Sequence, residues 1–334
     1  MGPQRKAAAE RPGAAPRGTM DRVESLALAW SPATPTPDAL GESPFWHPQE
    51  SRLYWVDIPG RQLRRMQPGG AVESWAMPSE PGCVAPIRGG GFLLGLRDGI
   101  WRADAWQGGL APLVRFPHDA TRMRFNDGKA DPLGRFWAGT IWEPRDARRA
   151  ELYCIDLRPG NGSDGKPAVQ LKALNATVAN GLAFSREGRR LYWADTGAHV
   201  IHAWDWDGEA NVMRSHREFQ RFTPKPAGWQ PGQPGYGGRP DGAALDSAGN
   251  YWCAMYEGAR LLCFSPAGEC LAEVPVPVQC PTMPCFGGPD LRTLYVTSAR
   301  ERRPPQELAE RPWSGHVIAA RVEVPGLPVD FVIA

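Results

Sequence analysis

Four short polar segments of this 334-residue chain carry side chains suited to hard cations and hydroxylated ligands. They are Gly41-Glu42-Ser43-Pro44-Phe45-Trp46, Arg124-Phe125-Asn126-Asp127-Gly128-Lys129, Val178-Ala179-Asn180-Gly181-Leu182-Ala183-Phe184 and Gly238-Arg239-Pro240-Asp241-Gly242. The carboxylates of Glu42 and Asp241 with the amide oxygens of Asn126 and Asn180 form a set of oxygen donors. Such a set suits Ca²⁺, Mg²⁺ or Mn²⁺ and is able to hold Zn²⁺ or Fe²⁺. Arg124 adds a fixed positive charge beside them. Taken singly, each segment has a plainer reading, because Asn-Gly and Asp-Gly are common turn formers. Their weight comes from the elements that must position them.

Those elements repeat. A Gly, Asp or Pro turn followed by a short aromatic or aliphatic strand recurs six times. The copies are Leu53-Tyr54-Trp55-Val56, Phe92-Leu93-Leu94-Gly95, Arg135-Phe136-Trp137-Ala138, Leu191-Tyr192-Trp193-Ala194, Tyr251-Trp252-Cys253-Ala254 and Leu294-Tyr295-Val296-Thr297. Aligning Trp55, Leu94, Trp137, Trp193, Trp252 and Tyr295 gives spacings of 39, 43, 56, 59 and 43 residues. That is one four-stranded blade per repeat, with longer loops in the third and fourth intervals. Further period-two segments, such as Val200-Ile201-His202-Ala203-Trp204-Asp205, lie between the repeats. A β-sandwich, the rival architecture, would not give six copies of one strand. The expected fold is therefore all-β, a six-bladed β-propeller with a central metal site.

Each polar segment stands roughly a dozen residues before the aligned residue of its repeat. In a propeller, equivalent positions in different blades share one central face, so Glu42, Asn126, Asn180 and Asp241 are expected to converge on the axis. The stretch around Arg124 to Lys129 reads as a polar loop held before a strand, followed by a tight turn at Asp131-Pro132-Leu133-Gly134. Ring closure is expected from pairing of Val23–Leu28 with Val329–Ile333 in one blade.

Composition sets outer limits. Hydrophobic residues make up 42% and charged residues 22% of the chain, as in ordinary globular proteins. A net charge of +2 without a Lys/Arg run gives no argument for nucleic acid, and no apolar stretch approaches a membrane span. The seven cysteines have no zinc-like spacing and read as reduced thiols, which points to a cytoplasmic protein. A monomer or weak homodimer is the separate expectation for its assembly. Residues 1–19, rich in Ala, Pro, Gly and Arg, read as a disordered extension, with Met20 opening a single domain over 20–334.

The motifs Gly-Glu-Ser-Pro-Phe-Trp, Arg-Phe-Asn-Asp-Gly-Lys, Ala-Asn-Gly-Leu-Ala-Phe-Ser and Pro-Asp-Gly, in this order, resemble those of the SMP-30/gluconolactonase/LRE-like family over Leu40 to Val296. The resemblance implies a propeller with one divalent ion held by Glu42, Asn180 and Asp241, and a substrate contacted by Arg124 and Asn126. It implies metal-dependent hydrolysis of a sugar (aldono-) lactone, such as a gluconolactone or pentonolactone. The competing reading is a non-enzymatic calcium-binding propeller of the regucalcin type, which would have no use for Arg124 and Asn126. Asp241 is the expected general base, Glu42 mainly a ligand, and Asp127 a residue that fixes the loop. The chain departs from some members at Trp142-Glu143-Pro144, where they carry an acidic pair, so the pocket shape is its own.

Other chemistries find less support. There is no Gly-x-Ser-x-Gly elbow for a serine hydrolase. His199 and His202 read as strand or surface residues rather than zinc ligands. Gly89-Gly90-Gly91 reads as a hairpin turn. The 14 Trp read mostly as blade packing, with Trp142, Trp229 and Trp313 as candidates for the mouth of the channel, and the loop 224–238 as a candidate cover.

Overall fold

The computed structural model describes residues 23–162 and 166–334; the expected extension 1–19 and Met20 lie outside them. The described strands form six antiparallel sheets arranged as blades. Blade 1 comprises Gly41–His47, Arg52–Asp57, Gln62–Met66 and Glu73–Ala76, and blade 2 Cys83–Pro86, Phe92–Leu96, Gly99–Ala103 and Leu110–Arg115. Blade 3 runs Met123–Ala130, Phe136–Trp142, Ala150–Asp156 and Ala168–Ala176; blade 4 runs Ala179–Phe184, Arg190–Asp195, Val200–Asp207 and Val212–Arg221. Blade 5 contains Arg239–Leu245, Tyr251–Tyr256, Arg260–Phe264 and Cys270–Pro275, and blade 6 Pro281–Gly287, Thr293–Ser298 and Ile318–Arg321. The first strand of each blade packs against first strands of its neighbours and lines the axis. All six residues aligned from the sequence fall on second strands.

Tight turns make those second strands legible. In blades 3 and 5 the turn aspartate organises the whole hairpin. Asp131 accepts the backbone N–H of Leu133 and Arg135 at 2.9 and 3.0 Å, and the indole N–H of Trp137 at 2.7 Å. Asp246 repeats this with Ala248, Asn250 and Trp252, each at 2.9 Å. These tryptophans are therefore both core and hydrogen-bond donors, the usual condition for burying an indole.

Ring closure differs from the expectation. Ser31–Pro32 pairs antiparallel with Ile318–Arg321 and becomes the outer strand of blade 6, while Glu24–Ser25 adds in parallel to the edge of blade 5. The C-terminal segment instead crosses the lower end of the channel. Leu327 N–H donates to Leu245 O at 3.0 Å, Val332 N–H to Pro86 O at 2.9 Å and Ile333 N–H to Gly134 O at 2.9 Å, joining blades 5, 2 and 3. A short apolar strand satisfies its backbone equally well as a plug or as a blade edge, and hydrophobicity alone does not choose.

A second correction concerns Arg124 to Asp127, which lie within the inner strand Met123–Ala130 and not on a loop. Five of the six inner strands carry a two-against-one bulge, falling between Glu42 and Phe45, Phe125 and Gly128, Asn180 and Ala183, Pro240 and Ala243, and Pro281 and Pro284. A bulge breaks the period-two alternation and re-aims side chains. That break is why these strands read as loops. The only helix among the described residues is Pro305–Glu310, and none is long and apolar enough to cross a membrane.

Candidate metal and substrate site

Every sequence-predicted site residue lies at or beside one of these bulges, at the upper end of the channel where the inner strands begin. Glu42 and Asn180 precede the bulge of their strands; Asn126 and Asp241 occupy it. The register is therefore offset between blades, and convergence comes from the bulges rather than from strictly equivalent positions. Glu42, Arg124, Asn126, Asn180 and Asp241 are all less than a tenth exposed.

A chain of hydrogen bonds runs across blades 3 and 4. Arg124 Nη1 donates to Asn126 Oδ1 and to Phe125 O, both at 2.8 Å. Asn126 Nδ2 donates to Ala179 O at 2.9 Å and to Asn180 Oδ1 at 3.1 Å. Asn180 Nδ2 donates to Thr196 Oγ1 at 2.8 Å. Because Thr196 takes the amide N–H, the Asn180 oxygen is turned back toward Asn126 and the axis. Gly181 has φ +58, and a Cβ there would sit 2.4 Å from the Tyr251 hydroxyl and 3.0 Å from Asp241 O. A side chain at this position would push blades 4 and 5 apart, so glycine is what lets Asn180 and Asp241 approach. Asp127 does hold the local structure: its Oδ2 accepts Leu182 N–H at 2.8 Å, tying blade 3 to blade 4.

The carboxylates are handled differently. The only hydrogen bond to the Glu42 carboxylate among the described residues comes from Ser43 N–H at 3.3 Å, and Asp241 accepts none there; neither has an ion-pair partner within 4.0 Å. Burial pushes the Glu42 carboxyl well above its usual range, and repulsion from Asp241 and Asp127 adds to this. Asp241 is pushed up to about 8, by burial first, with Arg239 opposing and Asp127 reinforcing the rise. Two buried acids at electrostatic range and without a partner are costly unless a cation or protons neutralise them. Together with the aimed oxygen of Asn180 they fit a hard divalent ion. No group of three or more His, Cys, Asp or Glu placed to hold a metal occurs among the described residues.

Several further residues take part. Glu143 Oε1 lies 3.4 Å from Arg124 Nε and accepts from Arg97 Nη2 at 3.2 Å, while its Oε2 accepts from Arg97 Nη1 at 2.8 Å, so the Trp142-Glu143-Pro144 departure supplies a clamp for Arg124. Thr196, at the end of a second strand, had no signal of its own. Arg124 Nη2 makes no hydrogen bond among the described residues and is the donor left for a ligand oxygen. The loop 224–238 reaches the same face: Lys225 binds both oxygens of Glu257 at 2.9 Å, and Tyr236 lies 2.7 Å from His199 Nε2. Trp229 packs edge-on against Tyr236, Trp142 lies between the guanidiniums of Arg122 and Arg149, and Trp313 packs on the core between blades 5 and 6. His202 pairs with His216 at 2.9 Å on the outer strands of blade 4. A groove of about 770 Å³ lined by Ser185, Arg190 and Asp246 of blades 4 and 5 contains none of the site residues.

Fold and site together define a six-bladed propeller with an acidic and amide-rich axial centre. The sequence profile of the SMP-30/gluconolactonase/LRE-like region matches residues 40–300, and the chain belongs to that family. It is 45% identical over 294 residues to a 6-deoxy-6-sulfogluconolactonase of Pseudomonas putida, covering 87% of this chain and 94% of that protein. It is 32% identical over 260 residues to a pentonolactonase of Haloferax volcanii, covering 78% and 81%. Among solved structures, a calcium-binding regucalcin from Agrobacterium tumefaciens superposes with a TM-score of 0.82 at 24% identity over 92% of this chain and 98% of that one, a likeness of fold.

Proposed function

We propose that this protein hydrolyses a sugar (aldono-) lactone to the aldonic acid, with one divalent ion held by Glu42, Asn180 and Asp241. The carrying observation is the pair of buried carboxylates without cationic partners, beside an amide oxygen fixed by Thr196 and an arginine with one unengaged donor. The names of the curated relatives, which act on gluconolactones and a pentonolactone, support the same substrate class.

When bound, the ion polarises a lactone carbonyl and makes a water more acidic. The chain's own residues do the rest. Asp241, the carboxylate with no hydrogen bond of its own among the described residues, takes the proton of the attacking water through its Oδ. Arg124 offers Nη2 to the oxyanion or a ring hydroxyl, while Glu143 and Asn126 hold its other nitrogens in place. Asn126 orients both its neighbours and the sugar hydroxyls. The test is initial-rate hydrolysis of an aldonolactone panel by metal-stripped protein, with Ca²⁺, Mg²⁺, Mn²⁺, Zn²⁺ and Fe²⁺ added back singly. Ion-dependent opening of a lactone well above its spontaneous rate is expected. Heat stabilisation by an ion without any turnover would reject hydrolysis in favour of a calcium-binding propeller.

A further inference from the structure

The connection from the outer strand of blade 4, Val212–Arg221, to the inner strand of blade 5, Arg239–Leu245, crosses the upper face from rim to axis. Its last residue, Gly238, stands three positions before Asp241, so the loop ends at the edge of the site. The connection is long, but it is pinned. One residue on each blade holds it, and each does so at both ends. On blade 4, His199 O accepts Phe222 N–H at 2.9 Å, and His199 Nε2 lies 2.7 Å from the Tyr236 hydroxyl. On blade 5, both Glu257 oxygens accept from Lys225 Nζ at 2.9 Å, and Oε2 lies 3.3 Å from Arg239 Nη1. Arg303, itself bound to Glu307, adds a further tie to Glu257 at 3.0 Å. Within the loop the Trp229 indole N–H donates to Gln233 O at 3.0 Å, and its ring packs edge-on against Tyr236 at 5.1 Å. Lys225 Nζ lies 4.9 Å from the centre of the Trp229 ring. Compact loops with close ends and their own packed side chains frequently carry function.

Both anchors are strained. Among the described residues, three buried non-glycine residues have φ in the left-handed region: Ser43 at +50, His199 at +55 and Glu257 at +65. Ser43 follows the site residue Glu42, and the other two are the anchors of this loop. Strain of this kind persists only where the surroundings dictate it, and it clusters at functional sites. The anchors also adjoin the proposed ion ligands. His199 N–H closes a turn onto Thr196 O at 3.3 Å, and the Thr196 hydroxyl holds Asn180. Arg239, held by Glu257, is two residues from Asp241. A plain link between two blades needs neither strained anchors nor ties at both of its ends.

We infer that loop 224–238 is a preformed wall of the substrate pocket, and that His199 and Glu257 are the positioning residues that fix it beside Asn180 and Asp241. This rests on the lactonase reading above and adds what selects among sugar lactones. A wall set before binding spares the ligand the entropy of ordering it, so loosening it weakens binding and discrimination more than turnover. The test frees the loop from its own side, with Lys225→Met, Tyr236→Phe and the double variant, which leave both buried anchors in place. Melting temperatures confirm that each variant is folded. Chymotrypsin, which cuts after aromatic residues, reads the clamp. Wild type should resist cleavage at positions 229 and 236, and the double variant should be cut there about 10-fold faster. Hydrolysis of glucono-1,5-lactone and of a pentono-1,4-lactone reads the wall. The double variant should raise KM for the better substrate by about 10-fold, keep kcat within about 3-fold and bring the two kcat/KM values closer, with the single variants between. Gluconate affinity from calorimetric titration repeats the comparison without turnover and should fall in step with KM. Ready cleavage of the wild-type loop overturns the inference, as does a freed loop that leaves KM and the substrate ratio unmoved. If no lactone opens with any ion, the lactonase reading falls; the wall then stands if the double variant weakens gluconate binding and falls if it does not.

Discussion

The two ends of the central channel are lined by the same inner strands and built in opposite ways. At the upper end the bulges turn Glu42, Asn126 and Asp241 inward, two acids lack cationic partners, and polar groups are linked from Arg124 to Thr196. Below the bulges pairing is regular again, the lining is largely apolar around a cavity of about 110 Å³, and residues 326–333 close it. The charges that do occur there are Lys129, which donates to Ala243 O at 2.9 Å, and Asp330. The position of the bulge along each strand thus divides one channel into a site and a plug. Stability is expected to reside in the lower end and chemistry in the upper, and substitutions in each should move one property and spare the other.

The largest effect is expected from Asp241→Ala. Removing a ligand that is also the base should lower kcat by about 10³-fold or more and abolish ion-induced heat stabilisation. Rates from steady-state hydrolysis and melts with and without ion check both; an active variant that still binds the ion would remove Asp241 from the site. Next is Thr196→Val, which keeps shape and deletes the acceptor that aims the Asn180 amide. Loss of such an orienting partner is expected to weaken ion affinity by about 10-fold, read by calorimetric titration, with the melting temperature of the ion-free protein nearly unchanged. An unaltered affinity would mean that Asn180 is held by Asn126 alone.

At the lower end, Gly134→Ala is the matching probe. Gly134 has φ +88, and a Cβ would meet the Ile333 side chain at 2.5 Å. The strained backbone and the displaced tail together should cost about 1–3 kcal/mol in denaturant unfolding while ion affinity stays as in wild type. A change in ion affinity instead would show that the two ends are coupled.

How much of this was legible in the sequence follows from the same division. Second strands are readable because each is a short run of aromatic and aliphatic residues just after a turn, so blade number comes from the six-fold recurrence aligned on Trp55, Leu94, Trp137, Trp193, Trp252 and Tyr295. The inner strands carrying the site do not show as strands in the sequence, because their bulges destroy the alternation that identifies one. Their polar residues were visible for the same reason. Thr196 gives no sign, since its role depends on the residue just past a second strand meeting Asn180 across the same blade. Glu143 stands out as a departure, but its partner Arg97 lies 46 residues away and no local pattern links the two. Ser31–Pro32 carries no pattern at all, and a two-residue closing strand is defined only by the neighbour it pairs with.

The smallest effect expected belongs to Asp330, within the plug. Burial pushes its carboxyl up to about 7, repulsion from Asp131 adds to the rise, and Lys129 and Arg186 oppose it. The folded chain therefore keeps a proton that the unfolded chain releases near pH 4. Between about pH 4 and pH 7 the unfolded state binds fewer protons than the folded state, so stability declines as pH rises through this window. Asp330→Asn holds its neutral form at every pH and should remove this share of the decline. Its Tm should match wild type near pH 4 and exceed it by about a few °C at pH 8. Asp38, likewise raised to about 7 by burial, slopes the same way in both proteins, so the difference between the two melting profiles is the quantity that tests Asp330. Parallel profiles would show that Lys129 and Arg186 already neutralise its charge, making the lower end as well compensated in its ions as in its backbone.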